Sequence, residues 1–245
     1  MTAPKLTLTE HLVELRTRLI RSLIVLAVGT GIAACYSKEI FALLQQPLLT
    51  TLPEGASFIT TNPIEPMVTY LKVALLAGVF FSSPFIFYQL WRFVAPGLLA
   101  HEKKWAIAFV TAATLFFVGG ALFGYFVIFP IGFQFFVKAL AGTEIQLLPQ
   151  MQQYLGFIAK MLLTFGLIFE MPVVLALLGR IGVVNYRQLS KARRTVLVVA
   201  FLIAGILTPG PDVLSQLLLA LPLLVLYELS VWIVWMIEPK RSQKK

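Results

Sequence analysis

One apolar run decides the fold class: residues 165–178 read FGLIFEMPVVLALL, with a single carboxylate, Glu170, two residues before Pro172. The rest of the chain has the same character, because 59% of its 245 residues are hydrophobic, 13% are charged and the mean hydropathy is +0.88. Soluble domains hold about 25% charged residues. The sequence therefore predicts an integral membrane protein in which Glu170 lies within a membrane span.

Long intervals between charged residues predict six membrane-spanning helices in a single all-α domain, residues 1–245. A bilayer core about 30 Å thick needs about 20 apolar residues per helix. The predicted spans are approximately 20–37, 70–93, 104–129, 153–179, 194–208 and 213–237. The third is expected to end at Pro130, and the fifth is too short to cross comfortably. The connection between the first two spans holds four prolines, Pro47 among them, and is expected to form short capping helices.

The basic residues predict the orientation. Six spans place both termini on one side, and most of the 20 Lys and Arg residues lie in the tails and loops of that side. Cytoplasmic loops carry such an excess, so both termini are predicted to be cytoplasmic. The net charge of +9 then reflects the orientation in the membrane. The basic residues form no stripe with interleaved aromatic residues, so the sequence does not indicate a nucleic-acid partner.

Motifs for catalysis and for metal or cofactor binding are missing from the sequence. His101 begins a stretch resembling the zinc-protease motif H-E-x-x-H, but Trp105 stands at the position of the second ligand. Neither G-x-S-x-G nor a phosphate-binding G-x-x-x-x-G-K-[ST] is found. We therefore predict a protein that is not an enzyme and has no metal or cofactor. Its work would be driven by a partner or by the membrane potential.

Two glutamates are predicted to lie inside the bilayer. Glu170 and Glu228 each precede the next charged residue by ten positions, which places them about 15 Å from the cytoplasmic end of their helices. Each costs about 2.5–3.5 kcal/mol on insertion scales unless it faces a polar cavity or takes up a proton. A polar pocket for a substrate or a partner helix is favoured for Glu170, and a structural role for Glu228. The structural alternative for Glu170 is a protonated or hydrogen-bonded glutamate that joins two helices, with a kink at Pro172 that frees a carbonyl. A proton-coupled transporter of a small solute would use both as proton carriers, whereas a structural scaffold would use them only to hold helices.

Three acids on the basic cytoplasmic face predict a site for a cationic ligand. The stretch 7–21, TLTEHLVELRTRLIR, forms a helix that leads into the first span and carries Glu10 and Glu14, and Glu102 follows the second span. Arginine suits such a site because its guanidinium can pair with a carboxylate through two hydrogen bonds. The alternative is structural, with Glu14 paired to Arg18 on the helix surface and Glu102 complementing a helix dipole.

Five stretches, in order along the chain, resemble the TatC family, the multispanning core of the twin-arginine protein translocase. They are HLVELRTRL at 11–19, FVAPGLLAHEKK at 93–104, YFVIFP at 125–130, FGLIFEMPVV at 165–174 and LTPGPDVLSQLLLALP at 207–222. The resemblance implies a cupped, glove-like arrangement of six helices with short fifth and sixth spans. It also implies a bacterial cytoplasmic (inner) membrane location.

The resemblance implies Sec-independent protein export by a receptor for the twin-arginine signal peptides of folded precursors. The family's signal-peptide site corresponds to Glu14, Arg16, Phe93 and Glu102, with the two glutamates meeting the paired arginines. The implied partners are TatA-type and TatB-type single-span proteins and further copies of the chain, and the implied energy source is the proton-motive force.

The resemblance further places Glu170 on a concave polar face for partner-helix docking or signal-peptide insertion. Its expected neighbours there are Gln89, Tyr125 and Gln216. Many family members read T-P-P-D where residues 208–212 read TPGPD, so the orientation of Asp212 stays open. The remaining candidates, Pro47, Asp212 and Glu228, are assigned structural or open roles.

Overall fold

The computed structural model describes residues 8–53, 57–94, 106–140, 147–207 and 213–237. These ranges fold into α-helices and one π-helical turn, and their only β-pairing is an isolated bridge between Ile59 and Gln150. The α-helices are α1 Leu8–Ala34, α2 Ser37–Leu49, α3 Glu65–Val94, α4 Ala106–Phe123, α5 Phe129–Leu140, α6 Met151–Phe169, α7 Met171–Arg180, α8 Tyr186–Leu207 and α9 Val213–Ile237. The predicted all-α class is confirmed.

Within the described ranges, five helical segments are long and apolar enough to cross a membrane. They are Thr9–Ala34, Glu65–Val94, Ala106–Leu140, Met151–Arg180 and Val213–Ile237. The predicted fifth span falls on α8, which does not reach this length of apolar sequence because its first half carries several basic residues. This agrees with the expectation that the fifth span is too short to cross comfortably.

The helix of the third span does not end at Pro130, as the sequence predicted. It continues from α4 through a π-helical turn, Gly124–Ile128, into α5. Proline has no amide hydrogen and its ring crowds the carbonyl four residues before it, which normally ends or bends a helix. The wider π turn directly before Pro130 absorbs this conflict, since the Phe129 N–H bonds the carbonyl of Gly124, five residues back.

The predicted kink near Pro172 is confirmed as a break between α6 and α7. Glu170 is the joint: its N–H bonds the carbonyl of Leu167, three residues back, at 3.2 Å. Pro172 lies in the first turn of α7, where a missing amide hydrogen is tolerated. Glu170, the one charged residue of the stretch 165–178, thus lies where the helix is interrupted.

The contacts divide the chain into two compact units, of which the first comprises Met1–Phe41 and Tyr70–Thr114. In this unit α1 and α3 pack closely at two glycines, Gly29 of α1 and Gly78 of α3. A Cβ added to Gly78 would lie 2.4 Å from Oγ1 of Thr30, and one added to Gly29 would lie 2.7 Å from Oγ of Ser82. Ser82 also donates to the carbonyl of Val25 at 3.2 Å. Small residues are what membrane helices use for such contact.

The second unit comprises Ala42–Thr69 and Leu115–Lys245. The described part of this unit has α6 at its centre, where Phe165 and Leu155 are fully buried. Glycines let the helices meet backbone to backbone: a Cβ on Gly120 would lie 2.4 Å from the carbonyl oxygen of Phe165, and one on Gly166 would lie 2.7 Å from the ring of Phe117. Close packing of α4 against α6 therefore fixes the position of the joint at Glu170.

The turn from α7 to α8 is set by local sequence. Gly182, at φ 76°, ends α7 in a left-handed conformation that favours glycine, and the Val183 N–H reaches back to the carbonyl of Leu178 at 3.0 Å. Asn185 and Gln188 then cap α8 reciprocally, each side-chain oxygen accepting the other's backbone N–H at 2.9–3.0 Å. This turn brings α8 back against α9.

The connection between α2 and α3 is tied to the start of α6 by one buried carboxylate. Glu65, 3% exposed, accepts hydrogen bonds from the Thr61 N–H at 2.9 Å and the Gln152 N–H at 2.8 Å, with three weaker donors around it. The bridge between Ile59 and Gln150 lies beside it. We call this arrangement the Glu65 clasp. It takes the place of the further short helices expected in residues 57–64, whereas α2 is helical as predicted.

Pro47 lies inside α2 and is buried. Because proline donates no hydrogen bond, the carbonyl of Leu43, four residues back, loses its helical partner. The hydroxyl of Tyr125 takes that place, donating to Leu43 at 2.7 Å. In the first unit the same device recurs, since Pro84 frees the carbonyl of Phe80 and the Ser83 hydroxyl donates to it at 2.7 Å. Pro47 therefore has a structural role that involves Tyr125.

Candidate functional site

The first unit holds a carboxylate that is fixed by an arginine on its own helix. The Arg18 Nε donates to Glu14 Oε1 at 3.0 Å, and Nη2 contacts the same oxygen. Nη1 of Arg18 reaches Oε1 of Gln89, which is 4% exposed, at 3.4 Å. The structural alternative of a Glu14–Arg18 pair is thus observed. Both Arg18 contacts use Oε1, so Glu14 Oε2 stays available to a second cation.

An aromatic pair stands beside this carboxylate. His11, one helical turn before Glu14 on α1, stacks on Phe93 near the end of α3, with the ring centroids 4.3 Å apart and the planes inclined at 22°. Arg16 is exposed on another face of α1. The structure therefore assembles Glu14 and Phe93 at the same end of α1 and α3, whereas Glu102 lies outside the described residues.

The sequence reasoning named the Glu14–Arg18 pair but missed Gln89 and His11 as members of this site. Gln89, named from the sequence as a neighbour of Glu170, accepts from Arg18 through its amide oxygen. The spacing from Glu14 to Arg18 was the available signal, because residues four apart on a helix are neighbours. His11 gave no comparable signal, since its partner Phe93 is far away in sequence.

The surroundings of Glu14 combine charge with apolar surface. Val13 and Leu15, which flank Glu14 on the same helix, are 64% and 44% exposed, so α1 presents apolar surface next to the fixed carboxylate. Such a surface can bind a guanidinium through the carboxylate and an adjoining apolar segment through the apolar side chains. The described site residues include no nucleophile with a base beside it, and the arrangement fits recognition.

Glu170 forms a second site, inside the second unit. Its side chain is 7% exposed, and its Oε1 is buried without a hydrogen-bond partner. Phe169, its neighbour in sequence, packs on Phe123 at 5.4 Å and lines an apolar cleft whose other wall is formed by residues 221–226 of α9. A buried polar atom left without a partner costs about 1–3 kcal/mol, and a donor from a docking helix would recover that energy.

The predicted polar neighbours of Glu170 have hydrogen-bond partners of their own. Tyr125 donates to Leu43 at 2.7 Å. Gln216 Nε2 donates to the carbonyl of Phe201 at 2.7 Å and so joins α9 to α8. Gln89 belongs to the Arg18 contact. At Glu170 itself, the structure shows a buried carboxyl oxygen without a hydrogen-bond partner.

Glu228 is paired with Arg193 of α8. Arg193 Nε lies 2.8 Å from Glu228 Oε1, and Nη2 donates to Oε2 at 2.9 Å, a two-bond pairing of guanidinium and carboxylate. The hydroxyl of Tyr227, next in sequence, donates to the carbonyl of Leu189 at 2.7 Å. These contacts join α8 to α9 and support the structural role favoured for Glu228. Asp212 lies outside the described residues.

Long apolar helices, a fixed carboxylate at one end of α1 and a buried carboxyl at a helix break define a multi-pass membrane protein built for binding. The family model of "Sec-independent protein translocase protein (TatC)" matches residues 10–222, and the chain belongs to this family. It is therefore a component of a protein translocase and not an enzyme, and the family gives no support to the small-solute transporter alternative.

Curated relatives cover nearly the whole chain. A Sec-independent protein translocase protein TatC from Desulforapulum autotrophicum is 46% identical over 223 residues, 91% of this chain and 82% of the relative. The TatC of Aquifex aeolicus is 41% identical over 228 residues, 92% of this chain and 93% of the relative.

Solved structures show the same fold. The crystal structure described as "Twin Arginine Translocase Receptor- TatC" superimposes with a TM-score of 0.81 at 40% identity, over 92% of this chain and 98% of that one. A second structure of the receptor, in the detergent DDM, gives a TM-score of 0.82 at 41% identity, over 91% of this chain and 98% of that one. The expected fold and family are confirmed.

Proposed function

We propose that this chain is the receptor subunit that binds twin-arginine signal peptides at the cytoplasmic face of a bacterial inner membrane, with both termini cytoplasmic. The observation that carries the proposal is the fixed carboxylate of Glu14, whose Oε1 is held by Arg18 while Arg18 itself is held by Gln89. A carboxylate held in place in this way loses little conformational entropy when a guanidinium binds.

The paired arginines of the peptide meet Glu14 and Glu102. One guanidinium donates to Oε2 of Glu14, and the apolar segment that follows lies along the exposed apolar side chains of α1. Phe93, stacked on His11, supplies a flat face beside the carboxylate, and an arginine binds the face of an aromatic ring favourably. Arg16, exposed on another face, repels further cations and limits the site to the arginine pair.

Glu170 serves the later steps of translocation. A single-span TatA-type or TatB-type helix, or the inserted signal peptide, docks against α6 and α9 and donates a hydrogen bond to the unpaired Oε1. Further copies of the chain complete the complex, which uses the proton-motive force. The support for this step is a buried carboxyl oxygen without a hydrogen-bond partner, next in sequence to Phe169, which lines an apolar cleft.

The test is binding of a signal peptide to the detergent-purified chain, with Arg-Arg and Lys-Lys versions of the peptide. Loss of a charge-assisted hydrogen bond costs about 1.5–3 kcal/mol, so Glu14→Ala and Glu102→Ala should each weaken Arg-Arg binding about 10-fold to 100-fold. Lys-Lys should bind more weakly because an ammonium cannot form the two-bond pairing. Glu39→Ala, a charge removal on α2, is the matched control and should bind normally.

Equal binding of both peptides to all variants would contradict the receptor function. It would assign recognition of the arginines to a partner subunit.

A further inference from the structure

A second apolar cleft lies between α5, α6 and the start of α9. Aromatic side chains of α5 form one wall at helical spacing, namely Phe129, Phe133 and Phe136, and Phe157 and Met161 of α6 form another. The cleft has a free volume of about 40 Å³ and an open mouth. All of these residues belong to helices apolar enough to cross a membrane. The medium that faces this cleft is therefore lipid.

A lysine stands next to the cleft on α6. Lys160 lies nine residues after Met151, the first residue of α6, which is about 13 Å along the helix. It is exposed, and among the described residues it has no hydrogen-bond or ion-pair partner. An ammonium group at this depth is unfavourable on insertion scales unless it reaches a polar group. Lys160 therefore needs an anion near the rim of the bilayer core.

Lys160 lies one helical turn from a wall of the cleft. Residues three apart on a helix are neighbours, so Lys160 stands beside Phe157 on α6. Phe157 is part of the cleft wall. A cation at the rim and an apolar interior below it match an amphipathic ligand that has an anionic head and a hydrocarbon tail.

We propose that this cleft binds one phospholipid of the leaflet at the N-terminal end of α6, with an acyl chain between α5 and α6 and the phosphate on Lys160. A partner helix fits less well. A helix is at least about 10 Å wide and cannot enter a cleft with a free volume of about 40 Å³, whereas a single hydrocarbon chain is far thinner. The charge of Lys160 further favours an anionic headgroup, since each such residue strengthens binding to anionic lipid.

The experiment titrates delipidated, detergent-purified protein with phosphatidylglycerol and counts bound lipid by native mass spectrometry. Lys160→Gln removes the cation, and Lys138→Gln on α5 is its matched control. Gly132 lines the cleft, and a Cβ there meets no atom within 4 Å, so Gly132→Leu fills the cleft without a clash at its Cβ. Gly156→Leu, equally open but outside the cleft lining, is its control.

We expect the unaltered chain to bind one phosphatidylglycerol molecule in a saturable manner. Lys160→Gln should weaken it about fivefold, Gly132→Leu should weaken it more strongly, and both controls should bind normally. Diacylglycerol with the same chains should bind weakly because it lacks the phosphate. Melting temperatures of all variants check that each is folded.

Three results would overturn the proposal. Equal weakening by Lys160→Gln and Lys138→Gln would mean that lipid follows net charge alone. Normal binding to Gly132→Leu would place the acyl chain elsewhere. A lack of saturable lipid binding, together with protection of the cleft by an added single-span peptide, would identify a helix as its occupant.

Discussion

The effects of the Tyr125 hydroxyl and of Pro47 on stability should be coupled, because both act on the carbonyl of Leu43. The variants Tyr125→Phe and Pro47→Ala, made singly and together, test this coupling. Pro47 deprives the Leu43 carbonyl of its helical donor, and Tyr125 replaces that donor at 2.7 Å. In the unaltered chain, Tyr125→Phe leaves this part-buried carbonyl without a partner. In a Pro47→Ala chain, the new amide hydrogen at position 47 can bond Leu43, so the hydroxyl is no longer needed.

The expected magnitudes follow from this geometry. Loss of one hydrogen bond that leaves its acceptor unpaired costs about 1–3 kcal/mol, and the part-buried setting favours the lower end. Tyr125→Phe should therefore lower the free energy of unfolding by about 1–1.5 kcal/mol in the unaltered chain, and by less than about 0.5 kcal/mol in Pro47→Ala. The free energy of unfolding of the unaltered chain, the two single variants and the double variant is measured in mixed detergent micelles by fluorescence.

The unaltered chain, the two single variants and the double variant form a double-mutant cycle, and its coupling free energy decides the outcome. Residues that share a partner show couplings of about 0.5–3 kcal/mol, whereas independent sites add within about 0.5 kcal/mol. Tyr154→Phe is a useful control, because its hydroxyl bonds the carbonyl of Leu44, and the residue four positions later, Leu48, has an amide hydrogen whereas Pro47 has none. Additive effects of Tyr125→Phe and Pro47→Ala would refute the argument that proline created the need for the hydroxyl.

Three further predictions concern the second unit. Glu65→Gln should lower the free energy of unfolding, because the side-chain NH₂ would face the N–H groups that donate to the clasp, and protease cleavage of residues 57–64 should accelerate. Gly166→Ala should reduce the melting temperature, whereas Gly156→Ala should leave it unchanged or raise it, because only the first Cβ meets a ring. Arg193→Met should lower the free energy of unfolding by less than about 1 kcal/mol, because the Arg193–Glu228 pair is nearly half exposed, and a larger loss would refute this.

The sequence predicted those features that arise from neighbouring residues. Apolar length placed the second and sixth spans near the observed α3 and α9. The proline two residues after Glu170 predicted the break between α6 and α7. Both inferences depend on properties of one continuous segment, helix length and a missing amide hydrogen, so no knowledge of packing was needed.

Features that depend on distant partners were not predictable in this way. The Glu65 clasp takes its donors from Thr61 and Gln152, which lie on either side of several helices. Pro130 was expected to end a helix because nothing in its local sequence announces the π turn that accommodates it. Glu102 and Asp212 lie outside the described residues, so their roles remain predictions.

Glu170 differs from the polar groups with a structural role because one of its carboxyl oxygens is buried without a hydrogen-bond partner. At Pro47 and Pro84 a side-chain hydroxyl bonds the carbonyl that proline released. Glu228 has both oxygens engaged by Arg193. At the joint between α6 and α7 one carboxyl oxygen instead stays buried and unpaired beside an apolar cleft. Among the buried polar atoms that the described residues leave without a hydrogen-bond partner, which include Thr30 Oγ1 and Thr69 Oγ1, this is the one carboxyl oxygen. A donor from a partner would recover the cost of its burial, so we expect Glu170→Gln to weaken partner docking more than it weakens folding.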